Sequence, residues 1–280
     1  MKKIVVPCDF SEQAINAFRF AVDIAQQSKG EVHLIHVIEL PVIHNTVLPA
    51  ISFEEALFQE LREKDESQFK KLIDKYGDDT VTIISKVVFG AVSRLIFDYI
   101  EENKIDLVVM GTHGASGVRE FVIGSNAEKI VRKSPVPVLT VKKYVKGSSI
   151  KDIVFPNTLE TEVQEDLVMK VKDLQNLFQA NIHIVWINTP NNFTRDSVTH
   201  ARLKAFVKRF MIKDHTIHVY NDPFEESGVI NFTHELKADM IALGTHGRKG
   251  LAHFFSGSVA EDLVNHVDCP VWTYTIKKKT

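Results

Sequence analysis

"VVMGTHGASGVREFVIGS", residues 108–125, and "IALGTHGRKGLAHFFSGS", residues 241–258, share one layout. Each is an apolar run, then Gly-Thr-His-Gly, then a further glycine three residues on, then Gly-Ser after a longer gap. The spacing is Gly, two residues, Gly, nine residues, Gly-Ser. It falls on Gly111, Gly114, Gly124 and Ser125, and again on Gly244, Gly247, Gly257 and Ser258. The apolar run is short and β-branched, as a buried strand is. A strand that ends in glycine puts the loop at the carboxyl end of a parallel sheet, where open α/β sheets bind ligands. Gly114 and Gly117 lack a Cβ and admit tight turning and close backbone approach. The helix "SNAEKIVRK", opening with Ser125 and Asn126, presents unpaired N–H groups and a partial positive charge, which suit a phosphate. Ser125 either caps that helix or turns its hydroxyl to a phosphate oxygen. A glycine after a strand and a serine at a helix start also occur in chains without any ligand. Retention of four marked positions in two diverged copies favours a shared constraint.

The duplication extends beyond the loops, and internal repeats decide the architecture. "KKIVVPCDFSEQAINAF" at 2–18 matches "IKDIVFPNTLETEVQEDL" at 150–167, each a short strand ending at a proline (Pro7, Pro156). "EVHLIHVIEL" at 31–40 matches "NIHIVWINTP" at 181–190, and "KSPVPVLTVKK" at 133–143 matches "DCPVWTYTIKK" at 268–278. "KIVVP", "EVHLIHVI", "TVTIISKVV", "IDLVVMG" and "VPVLTV" have strand character. The segments between them have helical spacing; one puts Ala14, Phe18, Val22 and Ala25 on one face behind an N-cap at Ser11. Alternating strands and helices imply parallel βαβ units with right-handed crossovers. Two doubly wound α/β domains are expected, 1–146 and 147–280. The first half carries extra chain after its second strand, "ELPVIHNTVLPAIS". Two prolines and an asparagine make it a loop, either lying over the strand ends or running along the surface.

Whole-chain properties narrow the function. A length of 280 residues fits two domains at roughly 150 residues each. A net charge of −2 supplies no basic field for nucleic acid. No apolar run reaches the 18 or so residues of a membrane helix, and Pro7 and Asp9 cut the first apolar stretch short of a signal sequence. Cys8 and Cys269 are the two cysteines. They form no disulfide framework and no zinc pattern, and read as reduced thiols of a cytoplasmic protein. The glycine spacing is neither a P-loop nor GxGxxG. Thr112-His113 and Thr245-His246 lack a carboxylate partner at fixed spacing and read as structural or loop-surface residues rather than metal or catalytic groups.

Taken together, the strand ends and both loops resemble the universal stress protein family, in its tandem two-domain form, over nearly the whole chain. The ATP-binding branch of that family carries Gly-x2-Gly-x9-Gly-(Ser/Thr), met here twice. The resemblance implies a Rossmann-like, parallel five-stranded sheet per domain, with the last strands pairing edge to edge so that the chain is its own pseudo-dimer. It implies that Asp9, ending the first strand, meets the nucleoside, with Pro7 and Cys8 lining the same turn. Val37 meets adenine, and Met110 ends the fourth strand beside Gly111. The expected ligand is ATP, AMP or ADP, with Mg²⁺ or Mn²⁺ held through the phosphates and no metal ligand from the protein. Asp9 either accepts ribose hydroxyls or caps the helix that follows.

The second half departs from the pattern. Thr158 stands at the position of Asp9 and Asn157 at that of Cys8, while Trp186-Ile187 replaces His36-Val37. Trp186 is expected to fill part of a pocket. Arg248 and Lys249 add charge to the loop. The first half is therefore expected to hold the nucleotide. The function classes left open are a nucleotide-binding stress or signalling module, a slow ATP hydrolase, and a structural dimer module with empty sites. A protein partner and a monomeric or homodimeric state are both open.

Overall fold

The computed structural model of the chain describes residues 1–39, 51–112, 123–159, 164–246 and 257–276. In the first half β1 (Lys3–Pro7), β2 (Glu31–Ile38), β3 (Thr82–Phe89), β4 (Leu107–Gly111) and β5 (Val138–Val141) alternate with α1 (Glu12–Ser28), α2 (Ile51–Tyr76), α3 (Val92–Asn103) and α4 (Ser125–Lys133). In the second, β6 (Asp152–Pro156), β7 (Asn181–Asn188), β8 (His215–Asn221), β9 (Met240–His246) and β10 (Val271–Ile276) alternate with α5 (Glu165–Phe178), α6 (Asp196–Phe210), α7 (Glu225–Leu236) and α8 (Gly257–His266). The strands form one ten-stranded sheet in the order β3-β2-β1-β4-β5-β10-β9-β6-β7-β8. Each half is a parallel, doubly wound sheet, and the halves meet through the antiparallel pair β5–β10.

Local chemistry explains the elements. Ser11 caps α1 by accepting the Ala14 N–H at 3.2 Å, and Ala14, Phe18, Val22 and Ala25 are all buried. Helices α1, α3, α5, α6 and α7 each end on a left-handed residue, Lys29, Lys104, Gln179, Met211 and Lys237, with φ between 48° and 56°; this conformation lets the cap amide return to the last carbonyls. One device recurs in both halves. The Asp106 carboxylate accepts the Lys2 and Lys3 N–H groups at 2.7 and 3.0 Å. Asp239 does the same for Lys151 and Asp152, also at 2.7 and 3.0 Å. Each aspartate locks the start of β1 or β6 beside the strand that carries its glycine loop.

Several expected boundaries move. β3, β4 and β5 begin at Thr82, Leu107 and Val138 rather than Thr80, Ile105 and Val136. α2 already includes Ile51 and Ser52, which the proline pattern assigned to a loop; Glu54 and Glu55 follow in a run that favours a helix start. The remainder of that segment, 40–50, lies outside the described residues, and so does any cover it gives the strand ends.

At the seam Thr140, Leu139 and Val138 pair with Val271, Trp272 and Thr273. The Thr140 hydroxyl donates to the Val271 carbonyl at 3.2 Å and the Thr273 hydroxyl to the Val138 carbonyl at 3.3 Å. Phe20 of α1 stacks on Phe178 of α5 across the seam, centroids 6.2 Å apart. Both core layers run through it. On one side Ile4, Phe18 and Phe20 continue into Phe155, Phe178 and Trp272; on the other Val5, Ile35 and Ile130 continue into Val154, Val185 and Leu263. Trp272 is fully buried there, at 0% exposure. Trp272→Ala is expected to lower stability by about 3–5 kcal/mol, measured as the shift in urea midpoint of the whole chain.

Candidate functional site

β1 stops at Pro7 while β2 continues to Ile38. In a parallel ladder a residue's N–H and C=O face the same neighbour. The Ile35 carbonyl accepts the Cys8 N–H at 2.8 Å. Val37, two residues on, therefore turns its N–H and C=O to the same side, beyond the end of β1. The chain turns away there through Phe10, whose φ is 63°. A notch opens with backbone donor and acceptor on its wall.

The notch is part of a cavity of about 360 Å³ between the ends of β1, β2 and β4 and the start of α4. Pro7, Cys8, Asp9, Val37, Met110, Gly111, Gly124, Ser125 and Asn126 all line it. The same cavity takes in Ala14, Ile35, His36, Glu39, Val92, Thr112, Ala127 and Ile130, none of which the sequence placed among the binding residues. His36, Glu39 and Thr112 neighbour predicted residues and were within its reach. Val92 comes from the start of α3, and only the sheet order brings it in. Gly114 and Gly117 lie outside the described residues.

The cavity lining joins two kinds of chemistry. Ile35, Val37, Val92, Met110 and Ile130 supply apolar side chains. The lining also includes the start of α4, whose N-cap, Gly124, supplies no side-chain cap bond. Ser125 is the first helical residue, so it does not cap α4 as the sequence allowed. The Gly124 N–H donates to the Thr112 carbonyl at 2.9 Å, and the next three N–H groups, of Ser125, Asn126 and Ala127, lack intrahelical acceptors. Gly124 has φ −59° and ψ 142°, an ordinary conformation that other residues adopt. Gly111 is different. A Cβ there would lie 2.7 Å from the Gln13 carbonyl carbon and 2.8 Å from the Gln13 Cβ, so its glycine lets β4 end tightly under α1.

Asp9 and its turn are braced. One carboxylate oxygen accepts the Ser11 N–H at 3.1 Å and the Ser11 hydroxyl at 2.6 Å. Ser11, not Asp9, caps α1; Asp9 orients the cap. His36 Nδ1 donates to the Cys8 carbonyl at 2.6 Å, its Nε2 lies 3.5 Å from Asp65 of α2, and Phe10 packs on its ring at 4.9 Å. Burial pushes the Cys8 thiol up to about 12, so it is a protonated wall group, not a nucleophile. Among the described residues lining the cavity there is no lysine or arginine, and no cluster of metal-ligating side chains occurs among the described residues. The donor set fits an anion held by backbone N–H groups.

The second half keeps the turn but closes it. Leu159 repeats the conformation of Phe10, with φ 61°. Gln164, 1% exposed, accepts the Asn157 amide at 2.6 Å and donates to the Thr158 hydroxyl at 3.2 Å. The Val185 carbonyl accepts the Asn157 N–H at 3.0 Å, matching Ile35 and Cys8. The next carbonyl on that side, Ile187, accepts from Asn192 Nδ2 at 3.2 Å. Asn192 also donates to Glu225 at 3.1 Å and accepts the Thr189 N–H at 2.7 Å. Trp186 does not fill this place. Strand alternation turns it from Ile187 into the core of α5 and α6, with the Arg202 guanidinium 5.0 Å over its ring. A Cβ at Gly244 would meet only flexible side-chain ends, Leu167 Cδ2 at 2.6 Å and Ile276 Cδ1 at 2.9 Å, so this glycine is less constrained than Gly111. Gly257 and Ser258 open α8; Gly247, Arg248 and Lys249 lie outside the described residues.

Comparison with known proteins agrees with this architecture. The universal stress protein family profile matches residues 1–142 and again 165–274. The chain belongs to the universal stress protein family, as a tandem two-domain member. A universal stress protein of Methanocaldococcus jannaschii is 33% identical over 142 residues, covering 51% of this chain and 82% of that protein. The universal stress protein E homolog of Haemophilus influenzae aligns end to end, 24% identical with 96% and 95% coverage. The crystal structure of a universal stress protein from Archaeoglobus fulgidus superposes with a TM-score of 0.73 over 98% of each chain, at 18% identity; that likeness concerns the fold. No helix among the described residues is long and apolar enough to cross a membrane.

The state of Cys8 is directly testable. Iodoacetamide at pH 8 is expected to leave Cys8 unmodified in the folded protein and to label it after denaturation, read by peptide mass spectrometry. Labelling of the folded chain at the unfolded rate would contradict a buried, protonated thiol.

Proposed function

We propose that the first half binds an adenine nucleotide, with Mg²⁺ or Mn²⁺ on its phosphates, and that the protein works as a nucleotide-responsive stress or signalling module. The observation that carries this reading is the joining, in one cavity, of an apolar slot, the Asp9 carboxylate and the uncapped N-terminus of α4. Each part suits one part of the ligand. The base lies in the slot against Val37 and Met110, the ribose hydroxyls donate to Asp9, and the phosphates accept from the first turn of α4. The family resemblance of the glycine spacing points the same way. The first half is favoured because the second half has turned its own side chains onto the matching groups. Asn192 sits on the Ile187 carbonyl and Gln164 on Thr158. A base entering there must break those bonds first, which weakens binding by several-fold to a hundredfold.

Calorimetric titration of the full chain with Mg·ATP is expected to fit one tight site per chain. Gly124→Val, whose branched side chain enters the cavity without straining the backbone, is expected to abolish that site while the melting temperature holds. Two equal sites, or undiminished binding in folded Gly124→Val, would overturn the reading. Asp9→Ala is expected to weaken adenosine about ten- to a hundredfold, the loss of a charge-assisted hydrogen bond. Unchanged adenosine competition in Asp9→Ala would confine that carboxylate to its bond with Ser11.

A further inference from the structure

We infer that Asn265, on α8 of the second half, positions the phosphate-facing turn of the first. The inference deepens the nucleotide reading of the first-half cavity and rests on it. Ile123 is the residue before Gly124, and its N–H donates to Asn265 Oδ1 at 2.8 Å, across 142 positions of sequence. A backbone N–H only donates, so the oxygen of the Asn265 carboxamide must face it. Ile123 is 4% exposed, so water does not replace this acceptor if it is lost. The following N–H, of Gly124, donates to the Thr112 carbonyl at 2.9 Å. These two consecutive bonds fix the direction in which the chain enters α4. That direction sets where the N–H groups of Ser125, Asn126 and Ala127 point, and those are the donors proposed for the phosphates.

Asn265 is itself held in place. Its backbone carbonyl accepts from Lys142 Nζ, just past the end of β5, at 2.6 Å. Leu263 and Val264, immediately before it, are 0% and 1% exposed. The carboxamide therefore projects from a fixed stretch of α8 across the seam. Counting from Gly124 and Gly257, the residue of α4 that matches Asn265 is Arg132, and its guanidinium bonds Glu128 of its own helix at 3.0 Å. The half whose nucleoside end is closed thus contributes a side chain to the cradle of the half whose end is open. Asn265 touches no proposed ligand atom; it is a positioning residue, acting through the Ile123 amide.

The test uses the full chain, with two ligands and one readout that needs no ligand. ATP (with Mg²⁺) and adenosine are titrated against wild type, Asn265→Ala and Asn265→Asp, and amide exchange at Ile123 is followed by NMR in the ligand-free proteins. Asn265→Ala is expected to weaken ATP about three- to tenfold, the loss of one hydrogen bond, to leave adenosine unchanged, and to speed exchange at Ile123. Asn265→Asp keeps an acceptor oxygen and is expected to retain the Ile123 protection. If Asn265→Ala unfolds, the near-isosteric Asn265→Leu gives the same comparison. Equal ATP affinity in wild type and Asn265→Ala, an equal loss for adenosine, or unchanged Ile123 exchange would each overturn the inference. A wild type that binds neither ligand would remove the reading of the cavity and this inference together; a wild type that binds both, with Asn265→Ala indistinguishable from it, would remove the inference alone.

Discussion

The antiparallel pairing of β5 with β10 is the constraint on which the rest depends. Without it each half is an open sheet with a bare strand beside its glycine-loop strand, and such an edge is a liability. With it, both edges are covered and both core layers continue from one half into the other. β4 and β9 are the strands next to this seam on either side, one in from β5 and β10. Contacts across the seam therefore reach the residues that flank their glycine loops. The bond from Ile123 to Asn265 is one such contact, and the Lys142 bond to the same residue is another.

A second geometric fact organises the cavity. In both halves the first strand ends before the second, and the second strand carries a carbonyl past its neighbour. A backbone acceptor shut away from water needs a partner. The second half supplies it from its own chain, through Asn192. In the first half the Val37 wall faces a cavity lined by apolar side chains. One backbone layout thus supports two outcomes, decided by a few side chains at the turn. His36 belongs to the same contrast. It ties the Cys8 carbonyl to α2 through Asp65, whereas Trp186 at the matching position packs away into the core.

Much of this was legible in the sequence because it rests on period and on repetition. β1 and β2 fall where the apolar runs placed them, and Ser11 caps α1 as its position suggested. The paired Gly-Ser loops located the strand ends, and the residues around them in the first half share one cavity. What the sequence hid follows from long-range geometry. Gly111 reads as a ligand glycine, yet the close approach of α1 to the end of β4 already requires it. Trp186 looked like a pocket filler, because its bulk is visible in sequence and its face is not. Asn192 and Gln164 carry no motif; their roles appear only when a carbonyl or a hydroxyl from a neighbouring segment is brought beside them. Asn265 sits in an ordinary helical stretch, and nothing local distinguishes it from Arg132.

The short connection from the end of β5 at Val141 to the start of β6 at Asp152 has a consequence for symmetry. Two identical halves meeting through the same strands would be related by a twofold axis, and every contact across it would occur twice. A substitution that closed one notch would close both. Within one covalent chain the halves are no longer copies by necessity, so one can fill its notch while the other stays open. The link also makes their meeting unimolecular, with an effective concentration set by the connection rather than by how much protein is present. A brace such as Asn265 then remains in reach at any dilution, and each chain carries its own.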